Sequence, residues 1–177
     1  MADTQHPEPG KTGISAPAKA GITDDGYLTD CWYLAAPSAE LKPGKQQRIM
    51  VLGEPVVVGR TPAGEPFALR DICPHRLVPL SAGQQLETNG EWALQCPYHG
   101  WRFGTDGGCK LMPSLTPDSP YDSSKVKVRR YPVHEGNGAV YLYVAHNPRV
   151  EAEPVVPPPD FGPLPAKPKF IIHDVFN

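Results

Sequence analysis

Proline sets the outer limits of what this chain can fold into. The ring fixes φ and removes the backbone N–H, so a proline excludes a helix interior or a central strand at its position. The chain carries 23 prolines in 177 residues, against roughly 5% of residues in an average protein. Their distribution divides the chain. Eight lie from Pro148 to Pro168 and three (Pro7, Pro9, Pro17) in a small, polar N-terminal stretch. Residues 1–26 have no hydrophobic periodicity and are expected to be a disordered arm. Residues 148–169 are expected to be an extended, semi-rigid linker. The last residues, KFIIHDVFN, form a strand-like apolar run with nothing to pair with. Residues 170–177 therefore read as the first piece of a further domain.

Between these ends, residues 27–147 make up about 120 residues, the size of one small domain. Short runs rich in β-branched and aromatic residues alternate there with turn residues. The runs are CWYLAA (31–36), QRIMVL (47–52), VVVG (56–59), FALR (67–70), EWALQ (91–95), VKVRRYPV (126–133) and AVYLYV (139–144). Glu135-Gly136-Asn137-Gly138 between the last two reads as a hairpin loop. Only Ser38–Leu41 hints at a helical period. The expectation is an all-β fold, a small antiparallel sandwich or barrel.

Charge excludes some functions. With 17 Lys and Arg against 19 Asp and Glu, the net charge is −2, so no basic footprint for nucleic acid exists. No apolar run of about 18 residues suits a membrane span, and the N-terminus lacks the pattern of a signal peptide. The expected location is cytoplasmic. Four cysteines in a reducing compartment read as ligands or buried thiols rather than disulfides.

Two segments carry chemistry: Cys73-Pro74-His75-Arg76 and Cys96-Pro97-Tyr98-His99-Gly100-Trp101. Each follows a predicted strand, and each offers one thiolate and one imidazole. Three readings compete. The pairing could be coincidence between core cysteines and surface histidines. It could be a tetrahedral zinc site, although such sites commonly pair Cys with Cys and His with His over short spacings. Or the loops face each other, with Cys73 and Cys96 on one iron and His75 and His99 on a second, bridged by sulfides, as in a Rieske [2Fe–2S] centre. Neutral imidazoles make such a cluster less anionic than an all-Cys one. Its potential then lies between about −150 and +300 mV rather than near −400 mV.

These segments, with the Trp101-Arg-Phe that closes the second, resemble the N-terminal Rieske domain of Rieske non-haem iron oxygenases, the ring-hydroxylating and demethylating enzymes. The resemblance spans roughly residues 30–145. It implies a Rieske-type fold with two cluster-binding loops and Cys73, His75, Cys96 and His99 as cluster ligands. It also implies that the outer nitrogen of His99 bonds an acidic residue, often of a neighbouring subunit. Arg76, Tyr98 and Trp101 are expected beside the ligands, Tyr98 as a hydrogen-bond donor to sulfur and Trp101 as a shield against water. High-potential Rieske proteins carry an extra Cys in each loop. Val78 and Tyr98 stand at those positions here, which implies a potential at the low end. Cys31 and Cys109 lie outside the loops and read as inert thiols.

The resemblance also implies partners. A reductase or ferredoxin would supply one electron, and a mononuclear Fe(II) in a catalytic domain would receive it. That iron is held by two His and one carboxylate. His6, His134, His146 and His173 offer no two residues three to five apart, so the mononuclear site is expected only in a catalytic domain that begins at residues 170–177. Two alternatives stand beside this: a free-standing Rieske ferredoxin and a zinc-binding interaction module.

Overall fold

The computed structural model describes residues 21–147 except 24, 25 and 89, together with 154, 156–160 and 162. Among the described residues twelve strands follow one another: β1 Gly21–Ile22, β2 Leu28–Thr29, β3 Cys31–Pro37, β4 Lys45–Val51, β5 Glu54–Arg60, β6 Pro66–Arg70, β7 Gln84–Thr88, β8 Glu91–Gln95, β9 Arg102–Phe103, β10 Cys109–Leu111, β11 Val133–Gly136 and β12 Ala139–Val144. All the strand pairs are antiparallel. Among the described residues the only helical pieces are two 3-10 turns, Leu80–Ala82 and Ser123–Lys125. The all-β expectation holds. Ser38–Leu41 is turn and bend rather than helix.

Val56, Val57 and Val58 explain the architecture. In a strand successive side chains point to opposite faces, so an unbroken apolar run signals burial on both. All three valines are fully buried. Val57 packs with Phe67, Leu69, Leu94 and Phe103, whereas Val56 and Val58 pack with Ala68, Val140 and Leu142. The β4-β5-β6 sheet is therefore the middle layer. The sheet ordered β10-β9-β8-β7 covers one face, and the sheet ordered β11-β12-β3 covers the other. This is three layers rather than the two of a simple sandwich.

Some expectations on boundaries need correction. The arm expected to be disordered through residue 26 is ordered in part, since Gly21 and Ile22 pair with Thr29 and Leu28. VKVRRYPV is not one strand. Residues 127 and 130 make single bridges to Gly108 and Leu69, and the strand begins only at Val133. Pro132 supplies no N–H to a ladder, which accounts for the break. The tight turn after β11 is Asn137-Gly138, both with positive φ (53° and 81°), as a type I′ hairpin requires.

The described part of the Pro-rich stretch does not stand free. Trp32 Nε1 donates to the carbonyl of Val156 at 2.7 Å, and Asn137 Nδ2 donates to Asp160. The sequence reading missed this anchor because Pro-rich composition reports stiffness and not what lies beside the chain. Residues 1–20 and 163–177, which hold most of the expected arm and the expected start of a further domain, lie outside the described residues.

Candidate metal centre

The two loops share one turn. In the first, the N–H of Cys73 donates to the carbonyl of Val78 at 2.9 Å, and the N–H of Leu77 donates back to Cys73 O at 2.8 Å. In the second, the N–H of Cys96 donates to Trp101 O at 2.8 Å, and the N–H of Gly100 donates to Cys96 O at 3.2 Å. Each loop thus starts at a Cys, continues through a Pro and turns at the residue four beyond the Cys. That residue has positive φ in both: Leu77 at 59° and Gly100 at 71°. The histidines break the match, standing two residues after Cys73 and three after Cys96.

The donors separate by type. Cys73 and Cys96 are buried, 1% and 2% exposed, in the apolar cluster between the middle sheet and the β7–β10 sheet. Their thiols are close enough to influence each other's charge. His75 and His99 sit outside, exposed, with ring centroids 4.7 Å apart. So the described structure brings the four expected ligands together as two pairs, buried sulfurs and exposed imidazoles. Among the described residues no three His, Cys, Asp or Glu side chains converge as a site for a single ion would need.

Burial pushes the Cys73 thiol up to about 11, and its neighbour Cys96 adds to that. The backbone N–H groups of His75 and Arg76 donate to the same sulfur and oppose the shift. Such donors stabilise negative charge on sulfur. The His75 imidazole is held below its ordinary value by the cost of desolvation, with His99 and Arg76 nearby as like charges. The lowered imidazole value favours the neutral nitrogen that ligates metal, whereas the raised thiol must give up its proton to do so, helped by the two backbone N–H groups.

The neighbours expected beside the ligands take particular places. Trp101 stacks flat on His75, 2° from parallel with centroids 4.7 Å apart. Tyr98 packs its ring against His99, centroids 3.8 Å apart and tilted by 41°, and is 60% exposed. Arg76 is exposed beside His75. Cys109 is buried in the same apolar cluster, and its thiol, raised by burial, donates to Leu111 O. Cys31 lies at the far sheet, paired with Val144. All four cysteines are free thiols. His134 meets Trp32 edge to face, and His146 Nδ1 bonds the Thr29 hydroxyl at 3.0 Å.

A family model, the Rieske [2Fe-2S] domain, matches residues 31–132. The chain belongs to the Rieske family. A Rieske domain binds a [2Fe–2S] cluster, and its two loops fall inside the matched span. Among curated relatives, the oxygenase subunit of 3-chlorobenzoate-3,4-dioxygenase from Comamonas testosteroni is 40% identical over 70% of this chain and 28% of its own length. Chlorophyllide a oxygenase, chloroplastic, from Arabidopsis thaliana is 35% identical over 75% of this chain and 23% of its own length. Among solved structures, dicamba monooxygenase bound to 3,6-dichlorosalicylic acid superposes with a TM-score of 0.60 at 36% identity, covering 75% of this chain and 36% of that one. The reduced complex between oxygenase and ferredoxin in carbazole 1,9a-dioxygenase gives 0.55 at 28% identity, covering 67% and 30%. The chain therefore spans about a quarter to a third of the length of the relatives it matches.

Proposed function

We propose that this chain is the electron-transfer portion of a Rieske oxygenase α subunit, taking one electron from a reductase or ferredoxin and delivering it to the mononuclear iron of a catalytic domain. In this reading residues 27–147 are the Rieske domain, 148–169 are a linker and 170–177 begin the catalytic domain. Cys73 and Cys96 would hold one iron of the cluster, and His75 and His99 the other. The observation that carries the assignment is two copies of one turn that hold a buried pair of thiols and an exposed pair of imidazoles. When bound, the cluster supplies one-electron redox chemistry at the surface of the domain.

The chain's own residues do the rest. The backbone N–H groups of His75 and Arg76 bond the Cys73 sulfur and favour its anionic form. Trp101 holds the His75 ring by stacking, and Tyr98 flanks the His99 ring. The apolar cluster around Cys73 and Cys96 keeps water from the sulfur side, while the exposed imidazoles give electrons a short route to a docked partner. The oxygenase relatives and the oxygenase–ferredoxin neighbour support this reading over a free-standing ferredoxin. Absence of a Cys at Val78 and Tyr98 supports a potential at the low end of the Rieske range. Among the described residues no helix is long and apolar enough to cross a membrane. The four free thiols fit a reducing compartment, and we place the protein in the cytoplasm.

Iron and acid-labile sulfide analysis of the purified protein tests the centre. Two irons and two sulfides per chain are expected, with the low average g-value of an iron bound by imidazoles. Colourless protein holding one zinc would overturn the assignment. The reading frame beyond Asn177 tests the wider role, since continuation into a two-His, one-carboxylate set is expected of an α subunit.

A further inference from the structure

The two loops are held at their bases by different means. The second closes on a ladder: Gln95 pairs with Arg102 across β8 and β9, and Arg102 Nε donates to the Gln95 side chain at 2.9 Å. The first leaves β6 and returns into the 3-10 turn Leu80–Ala82, with no strand pair across its base. Its two ends are tied instead by one side chain. Asp71 is 1% exposed. One of its oxygens accepts the backbone N–H of Ser81 at 2.6 Å, and the other accepts the Ser81 hydroxyl at 2.7 Å. Its own N–H donates to Pro55 O at 2.8 Å, and Arg48 Nε lies 3.6 Å from the carboxylate.

We propose that Asp71 is a positioning residue, whose clasp on Ser81 replaces the missing ladder and sets the register in which Cys73 and His75 face the second loop. The inference rests on the cluster assignment above for its consequence, but the clasp itself is a property of the chain. Charge-assisted hydrogen bonds are roughly twice as strong as neutral ones, and a buried carboxylate with its partners removed is costly. Nothing comparable is needed in the second loop, where backbone pairing does the same work. The position of the 3-10 turn depends on the clasp because Ser81 is its middle residue. The turn is further fixed by Gln46, whose Nε2 donates to Gly83 O at 2.9 Å.

The test compares Asp71→Ala, Asp71→Asn and Ser81→Ala with Arg60→Ala, which breaks an ion pair to Glu135 unconnected with either loop. Two readouts are needed: amide hydrogen exchange at Cys73 and Leu77 against Cys96 and Gly100, and the rate of iron release to a chelator with the midpoint potential. Asp71→Ala should exchange about tenfold faster in the first loop with the second unchanged. It should release iron about 10–100-fold faster and shift the potential. Ser81→Ala should move in the same direction by less, and Asp71→Asn should retain part of the effect through its remaining acceptor. Arg60→Ala should lower thermal stability and alter neither readout. Equal acceleration in both loops, or wild-type exchange and release in all three variants, would overturn the proposal. If Asp71→Ala does not fold, the two milder variants carry the same comparison. Wild-type protein without iron and sulfide would defeat the cluster assignment, while the exchange data would still decide on the clasp.

Discussion

The two Cys/His loops are one turn written in two ways. Both begin Cys-Pro and both reach positive φ four residues after the Cys. The second meets that demand with Gly100, the residue for which a left-handed backbone carries no steric cost. The first meets it with Leu77, a side chain that is 73% exposed and strained by roughly 1–2 kcal/mol in that conformation. The second rests on a β-ladder, and the first on a carboxylate. One geometry can therefore be specified by backbone chemistry in one place and by a side chain in another. The first loop is the one that carries strain and has no strand pairing at its base.

The largest test of this comparison removes a sulfur. Cys73→Ser and Cys96→Ser should each abolish the visible absorption and the bound iron, and to the same extent, since both thiols lie in one buried pair. Unequal retention of iron would break the equivalence of the loops. A smaller effect is expected where the loops meet. A Cβ on Gly83 would lie 1.8 Å from the carbonyl oxygen of Gln95, the last residue before the second loop. Gly83→Ala must then push the end of the 3-10 turn away from β8, and should cost about 3 kcal/mol by denaturant unfolding. Wild-type stability would mean that the two bases are not in contact.

The positive-φ residues offer a sharper pair. Gly100→Ala is expected to cost about 1–2 kcal/mol, since it adds a Cβ at φ +71° and 3.2 Å from Pro113. Leu77→Gly should go the other way or stay neutral, within about 1 kcal/mol, because relief of strain is offset by chain entropy. Destabilisation by both would show that the Leu77 side chain, and not only its backbone, holds the first loop.

The smallest effect serves as the reference away from both loops. Glu135 accepts from Arg60 at 2.8 Å, and that hydrogen bond holds its carboxyl below the ordinary 4.5. Because the folded value is depressed, the pair's contribution is present above about 4.5 and is lost as pH falls through the folded value. It should amount to about 1 kcal/mol or less, as the carboxylate is 35% exposed. Arg60→Ala should flatten that acid limb without altering the iron signal, and a denaturation series from pH 6 to 3 checks it.

Several of these elements were legible in the sequence. EWALQ and AVYLYV are strands with the bounds their composition suggested, and Asn137-Gly138 turns as its residues require. The four candidate ligands were legible because Cys and His at short spacing, twice, is a pattern that few other chemistries produce. Three short strands, β1, β2 and β9, were not, because two residues give too little period to read. β7 was missed for another reason. QQLET is polar, and what makes it a strand is pairing with β8 rather than its own propensity. Asp71 was passed over as well, since an Asp before a Cys looks like any loop acid until its burial and its partner ten residues on are known.

The sequence by itself determined the all-β class, the two Cys/His loops and the family, because those depend on local residue type and spacing. Tertiary structure decided the rest. It made Val56–Val58 the middle of three layers, because burial on both faces needs two further sheets. It paired the sulfurs inside and the imidazoles outside, because the two loops extend from different sheets. It laid part of the Pro-rich stretch against Trp32 and Asn137, because a carbonyl at Val156 found an indole N–H that lies 124 residues away in sequence.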